Sequence, residues 1–138
     1  MIGELRKPIT DRDIRIYAEL LGDTNPVHLD DEYAKNSRWK KRIAHGMISA
    51  GLIPTIFGSL IPGSIYVSQE LNFKAPVYVN DIVVAKVKVL DIKYSPKHFV
   101  TCETIVVRES DNTVLINGKA MMMLPPPPPA SNTNPPLQ

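Results

Sequence analysis

Met47-Ile48-Ser49-Ala50-Gly51-Leu52-Ile53-Pro54-Thr55-Ile56-Phe57 is apolar on nearly every side, and that reading decides the fold. A helix at a protein surface gathers its apolar residues into one stripe, whereas a helix that is apolar all round has to be enclosed by other structure. What encloses it follows in the chain. Beyond Pro62-Gly63, residues 64–73, 82–94, 98–109 and 113–124 are rich in β-branched and aromatic residues and read as strands. Ser95-Pro96-Lys97 and Ser110-Asp111-Asn112 supply hairpin turns between the last three. Long antiparallel neighbours beside one buried helix predict an α+β architecture, an antiparallel sheet wrapped around a central helix.

On the other side of the helix, Ile14, Tyr17, Ala18 and Leu21 share one face of a helix predicted over residues 10–21, which Thr10 and Asp13 open as a capping box. A second helix start is expected at Asp30-Asp31-Glu32, whose carboxylates favour a helix N-terminus. Arg38-Trp39-Lys40-Lys41-Arg42 then forms a basic connector to the buried helix. At the far end, Pro125 cannot continue a central strand, and the run of prolines departs in composition from everything before it. The organisation read from this is one domain over residues 1–124 and a Pro-rich tail over 125–138, the latter a solvated extension.

The chain has 138 residues, enough for one sizeable core. With 16 basic and 14 acidic residues it carries a formal charge of +2, too slight and dispersed for a nucleic-acid partner. No apolar run is long enough to span a bilayer, because Ser49, Gly51, Pro54 and Gly58 interrupt the longest, so no membrane partner is expected. The one cysteine, Cys102, reads as a packed strand thiol and points to a reducing, intracellular compartment. That compartment is expected to be the cytoplasm or, if a presequence has been removed, the mitochondrial matrix.

The chemistry concentrates in Gly22-Asp23-Thr24-Asn25-Pro26-Val27-His28-Leu29-Asp30. Pro26 lacks an amide hydrogen and pushes Asn25 out of the helical region, so Asp23 and His28 are displayed from a forced turn. A carboxylate and an imidazole held there offer a proton acceptor and a donor. The second unit is His45-Gly46-Met47, where a helix start presents unpaired amides to a developing negative charge and Gly46 has no side chain to obstruct the approach. Each residue also has a structural reading: Asp23 as a turn residue, His28 as a satisfied semi-buried imidazole, His45 as a cap or orienting group. No His-x-x-x-His, His-x-His or Cys-x-x-Cys spacing occurs, so no metal is expected. The absence of a phosphate loop, a nucleophile elbow and a dinucleotide fingerprint leaves acid–base chemistry without a cofactor.

These residues resemble, in order, those of the MaoC-like R-specific enoyl-thioester hydratases, or hydratase 2 enzymes, which have the hot-dog fold. The stretch from Asp23 to Asp30 is similar to the family's Asp-x-Asn-Pro-[Leu/Ile/Val]-His motif, and Arg42-Ile43-Ala44-His45-Gly46-Met47 to its helix start. The run from Gly63 through Leu71-Asn72-Phe73-Lys74-Ala75-Pro76-Val77 to Asp81 is similar to its next strand and turn. The resemblance implies reversible hydration of trans-2-enoyl thioesters to (R)-3-hydroxyacyl thioesters in fatty-acid metabolism, on coenzyme A or acyl carrier protein. Asp23 and His28 would be the catalytic pair around one water, with Gly46 serving the thioester carbonyl and Asn25 and His45 beside the substrate. A homodimer is implied as well.

The chain departs from the family at Pro54, where some bacterial members carry a serine; the proline resembles the mitochondrial-type dehydratases and favours a carrier-protein substrate. The segment before Thr10 is short, which predicts a shortened or missing first strand and a looser sheet edge. Independently of the family, Arg38, Lys40, Lys41 and Arg42 would meet coenzyme A phosphates or an acidic carrier protein, or else form an ordinary solvated run. Two rivals stand beside the lyase: an acyl-thioester hydrolase on the same fold, and a non-catalytic acyl-thioester-binding subunit.

Overall fold

The computed structural model describes residues 2–94 and 97–126. Its strands are β1 (Ile2–Pro8), β2 (Ile65–Gln69), β3 (Asn72–Phe73), β4 (Ile82–Lys93), β5 (Phe99–Arg108) and β6 (Val114–Met123). They form one antiparallel sheet in the order β1-β4-β5-β6-β2, with β3 also paired to β6. Val83, Ala85 and Val87 of β4 and Val100, Cys102 and Val106 of β5 point into the core, while Lys86 and Lys88 point out. This is the alternation a sheet with one covered face requires. The pairing of β5 with β6 shifts between Val106 and Val107, and that irregularity lets the consecutive Leu115 and Ile116 both be buried.

The helices are α1 (Asp11–Leu21), α2 (Pro26–Leu29), α3 (Asp31–Lys35), α4 (Gly46–Ala50) and α5 (Leu52–Leu60). Ile53, Ile56 and Phe57 of α5 pack into the cluster formed by Val83, Ala85, Val87, Val100, Cys102, Leu115 and Met122. The α+β arrangement of a sheet around a central helix is therefore present. The central helix is divided in two at Gly51, and Pro54 falls in the first turn of α5, where a missing N–H leaves no helical bond unmade. Its far side is uncovered in the single chain: Met47, Gly51, Pro54, Thr55 and Gly58 are exposed.

Two strand expectations are corrected. The first strand is not shortened: β1 pairs with β4 along all seven residues, from Ile2↔Lys88 to Pro8↔Ile82. The strand read over residues 64–73 is instead broken after Gln69, where the chain crosses β6 so closely that a side chain on Gly118 would overlap the Glu70 carbonyl. The turn at Ser110-Asp111-Asn112 is made as expected, with Asn112 at a φ of 57°. Of the other expected turn, Ser95 and Pro96 lie outside the described residues, as do residues 127–138 of the tail.

The expected helix starts are formed. Thr10 N donates to Asp13 Oδ2 at 3.0 Å and Asp13 N to Thr10 Oγ1 at 3.2 Å, while Tyr33 N donates to Asp30 Oδ1 at 3.1 Å to open α3. Gly22, with a φ of 75°, ends α1 in the left-handed conformation and turns the chain toward Asp23. Among the described residues no helix is long and apolar enough to cross a membrane. Cys102 is buried, and burial pushes its thiol above the usual range.

Candidate active site

The one-turn α2 begins at Pro26, capped by Asn25 Oδ1, which accepts from Val27 N at 3.2 Å. Four residues cannot sustain a helix unaided, and α2 is held from outside by the strip Arg42–His45. Ile43 N donates to Val27 O at 3.3 Å, Arg42 Nε to His28 O at 2.8 Å, and His28 Nδ1 contacts Ile43 O at 2.7 Å. His45 Nε2 lies 3.0 Å from Asp23 O. Four hydrogen bonds thus join residues 42–45 to residues 23–28.

Those bonds determine where the protons sit. A carbonyl oxygen only accepts, so His28 carries its proton on Nδ1 when neutral and leaves the Nε2 lone pair free for a water. By the same argument His45 carries a proton on Nε2. His28 is 9 % exposed, and that burial holds its imidazole below its usual range; His45 adds to the lowering, while the Ile43 bond and Asp23 act the other way. The His45 ring lies against His28 at a centroid separation of 3.9 Å and against Tyr17 at 4.6 Å.

Asp23, His28 and His45 each place one ligand-type atom within 4.8 Å of the others. Local spacing could not show this convergence, because His45 arrives from the far side of α3. As a cation site the set is weakened by His45 Nε2, which is committed as a donor to Asp23 O. For a water it is well suited: two hydrogen bonds of about 2.8 Å at a tetrahedral oxygen bridge roughly 4.6 Å.

A cleft of about 290 Å³ opens beside this group, with His28, Trp39, Gly46, Phe73, Lys74 and Val77 among its lining. Ala44 N donates to Val77 O at 2.7 Å, joining the strip to the opposite wall. That wall is braced by Arg108, which donates to Asp81 Oδ2 at 2.9 Å and to Pro76 O at 2.6 Å. Gly46 is the first residue of α4, so its amide has no carbonyl one turn earlier in the helix. A Cβ at this position would lie 2.6 Å from Phe73 Cε1, so a larger residue would have to displace that ring.

His28 is common to both groups, clustering with Asp23 and His45 and lining the cleft with Gly46, while Asp23, like Asn25 and His45, is not among the cleft lining; the expectation for Arg42 is corrected. Asn25 caps α2 and does not line the cleft. His45 is 3 % exposed, with Nε2 on the Asp23 backbone, its ring against two neighbouring rings and Nδ1 buried without a hydrogen-bond partner among the described residues; it does not line the cleft either. Arg42, expected to face phosphate or a carrier protein, is 8 % exposed and engaged by His28 O, Asp11 and Asp31. Of the other cations, Arg38 lies over the Trp39 ring at 5.0 Å and Lys41 Nζ over Tyr78 at 4.6 Å, while Lys40 is exposed. Sequence reasoning missed Lys74, Phe73 and Trp39 as cleft residues; an aromatic beside a cation in Phe73-Lys74 was the available signal.

The profile of the MaoC like domain family matches residues 2–110. An (R)-specific enoyl-CoA hydratase of Rhodospirillum rubrum is 44% identical over 122 residues, covering 83% of this chain and 84% of the relative. A mitochondrial 3-hydroxyacyl-[acyl-carrier-protein] dehydratase of Arabidopsis thaliana is 34% identical over 112 residues, 80% of this chain and 68% of that one. Among solved structures, the (R)-hydratase from A. caviae involved in PHA biosynthesis superposes with a TM-score of 0.85 at 33% identity, covering 91% of this chain and 95% of the other.

Proposed function

Since the chain belongs to the MaoC-like domain family and has its hot-dog fold, we propose that it hydrates trans-2-enoyl thioesters reversibly to (R)-3-hydroxyacyl thioesters through Asp23, His28 and the Gly46 amide. The observation that carries the site assignment is the clustering of a His28 ring nitrogen with an Asp23 carboxylate oxygen within 4.8 Å, together with the Nδ1 bond to Ile43 O that leaves Nε2 as the acceptor of the ring. A water bridging the two gives up a proton to His28 Nε2 as its oxygen bonds to C3. The electron pair of the C2–C3 double bond moves toward the thioester carbonyl and returns to C2 as that carbon takes a proton delivered through Asp23, which the proton held on His28 then replaces, so that hydroxyl ends on C3, hydrogen on C2 and both residues are restored. Dehydration runs the same steps backwards. The Gly46 amide donates to the carbonyl oxygen while charge builds there, a contribution of about 3 kcal/mol for one such donor.

For the carrier, the cleft mouth favours an anionic one: Lys74 lines it, and Arg38 stacks on Trp39, which also lines it. Pro54 keeps the preference for acyl carrier protein, and mitochondrial plant relatives named for that substrate support it, together with a matrix location. Comparing both thioesters over a salt series tests this, since a carrier-protein preference held by surface charge weakens with salt. The active unit is a homodimer joined at the β2 edge.

The deciding experiment for the reaction follows crotonyl thioester. Loss of the enoyl absorbance without release of free thiol is expected, with Asp23→Asn and His28→Ala each slowing it roughly 100-fold or more. Thiol release would make the protein a hydrolase, and unchanged rates in both variants would remove the pair from the mechanism.

A further inference from the structure

We propose that Arg42 is a positioning residue for His28, an inference that rests on the reading of His28 as the proton acceptor. In sequence Arg42 closes a basic run, yet it alone of Arg38, Lys40, Lys41 and Arg42 is buried. A buried guanidinium is destabilising unless its N–H groups are met, and the three partners it has are informative. Its Nε donates to the carbonyl of His28 at 2.8 Å, Nη2 pairs with Asp11 at the start of α1, and Nη1 stands 3.8 Å from Asp31 Oδ1 at the start of α3. One planar side chain therefore ties the catalytic turn to the helices before and after it.

His28 is gripped at both ends by successive residues. Arg42 holds its main-chain oxygen, and the Ile43 carbonyl holds its ring Nδ1. Since α2 is only four residues long, the direction of the Nε2 lone pair depends on these two contacts more than on the helix. A misplacement of about 1 Å at a reacting group costs on the order of 100-fold in rate. Lysine cannot substitute, because a single ammonium on a flexible stem does not present the spread N–H directions of a guanidinium.

Two variants separate positioning from stability. Arg42→Lys keeps the charge beside Asp11 and Asp31 but loses the fixed Nε donor, and should lower kcat roughly 10- to 100-fold with KM within about twofold. Asp11→Asn loosens the ion pair but keeps the Nε bond to His28 O, and should lower Tm while kcat stays within about twofold. Ring 15N signals of His28 give a readout independent of turnover: the Nδ1-protonated form should dominate in the wild type and in Asp11→Asn, and become mixed in Arg42→Lys. The proposal is overturned if Arg42→Lys keeps the wild-type kcat and ring signals, or if both variants lose kcat in step with Tm. Full activity in His28→Ala would instead sink the reading of the site, while the 15N result would still decide whether Arg42 orients the ring.

Discussion

At the residue scale, the protonation of His28 is the variable on which the proposed mechanism depends. Its folded-state imidazole is held below the ordinary value near 6.5, chiefly by burial, so it is neutral, and able to accept a proton from water, where a free histidine is already half charged. The acid limb of kcat/KM for hydration should therefore fall below pH 6.5; a limb at or above that value would contradict the burial argument. Stability follows the same sign. As pH falls through about 6.5 the unfolded chain takes up a proton that folded His28 refuses, so its contribution is complete above the unfolded value and is lost as pH falls toward the folded one. The turn that displays Asp23 and His28 and the helix start at Gly46 were legible in sequence because both are local patterns. Arg42 was not, since its burial depends on Asp11, 31 positions earlier, and a run of four cations reads as solvated from any local window.

The element scale shows where local pattern reaches and where it stops. The long strands β4, β5 and β6 and helix α1 with its capping box were readable because alternation and caps are properties of the element itself. The division of the central helix at Gly51 and the break after Gln69 were not, as both are set by neighbours. The crossing at Gly118 is the sharper case, since the constraint comes from Glu70, a residue on the other side of the sheet's longest hairpin. Gly118→Ala should cost about 2 kcal/mol or more by forcing β6 and the β2–β3 link apart, seen as a fall in Tm of roughly 5 °C or more. An unchanged melting curve would mean that the crossing relaxes freely.

For the whole molecule, the two sheet edges are unlike. On β1, Glu4, Arg6 and Pro8 are exposed, the charges and proline with which single chains guard an edge. On β2, Ile65 is 55% and Val67 51% exposed, which supports placing the proposed two-fold contact at this edge. Val67→Lys should convert a dimer to a monomer in light scattering after size exclusion; a monomeric wild type would refute the pairing. The uncovered side of α4 and α5 was invisible to a reading that took an all-round apolar helix as fully enclosed by its own chain.

The strip Arg42–His45 carries one more consequence, for how this sequence can drift. Of its four bonds to residues 23–28, Val27 and Ile43 contribute main-chain atoms alone, so their side chains are free to vary within the limits of packing. The reading frame is not free. Adding or removing a single residue within 42–45 would offset the bonds to His28 and Asp23 together, whereas length changes in the exposed stretch around Lys40 and Lys41 leave that frame intact. Over generations the site should tolerate substitution at these two main-chain positions far better than insertion among them.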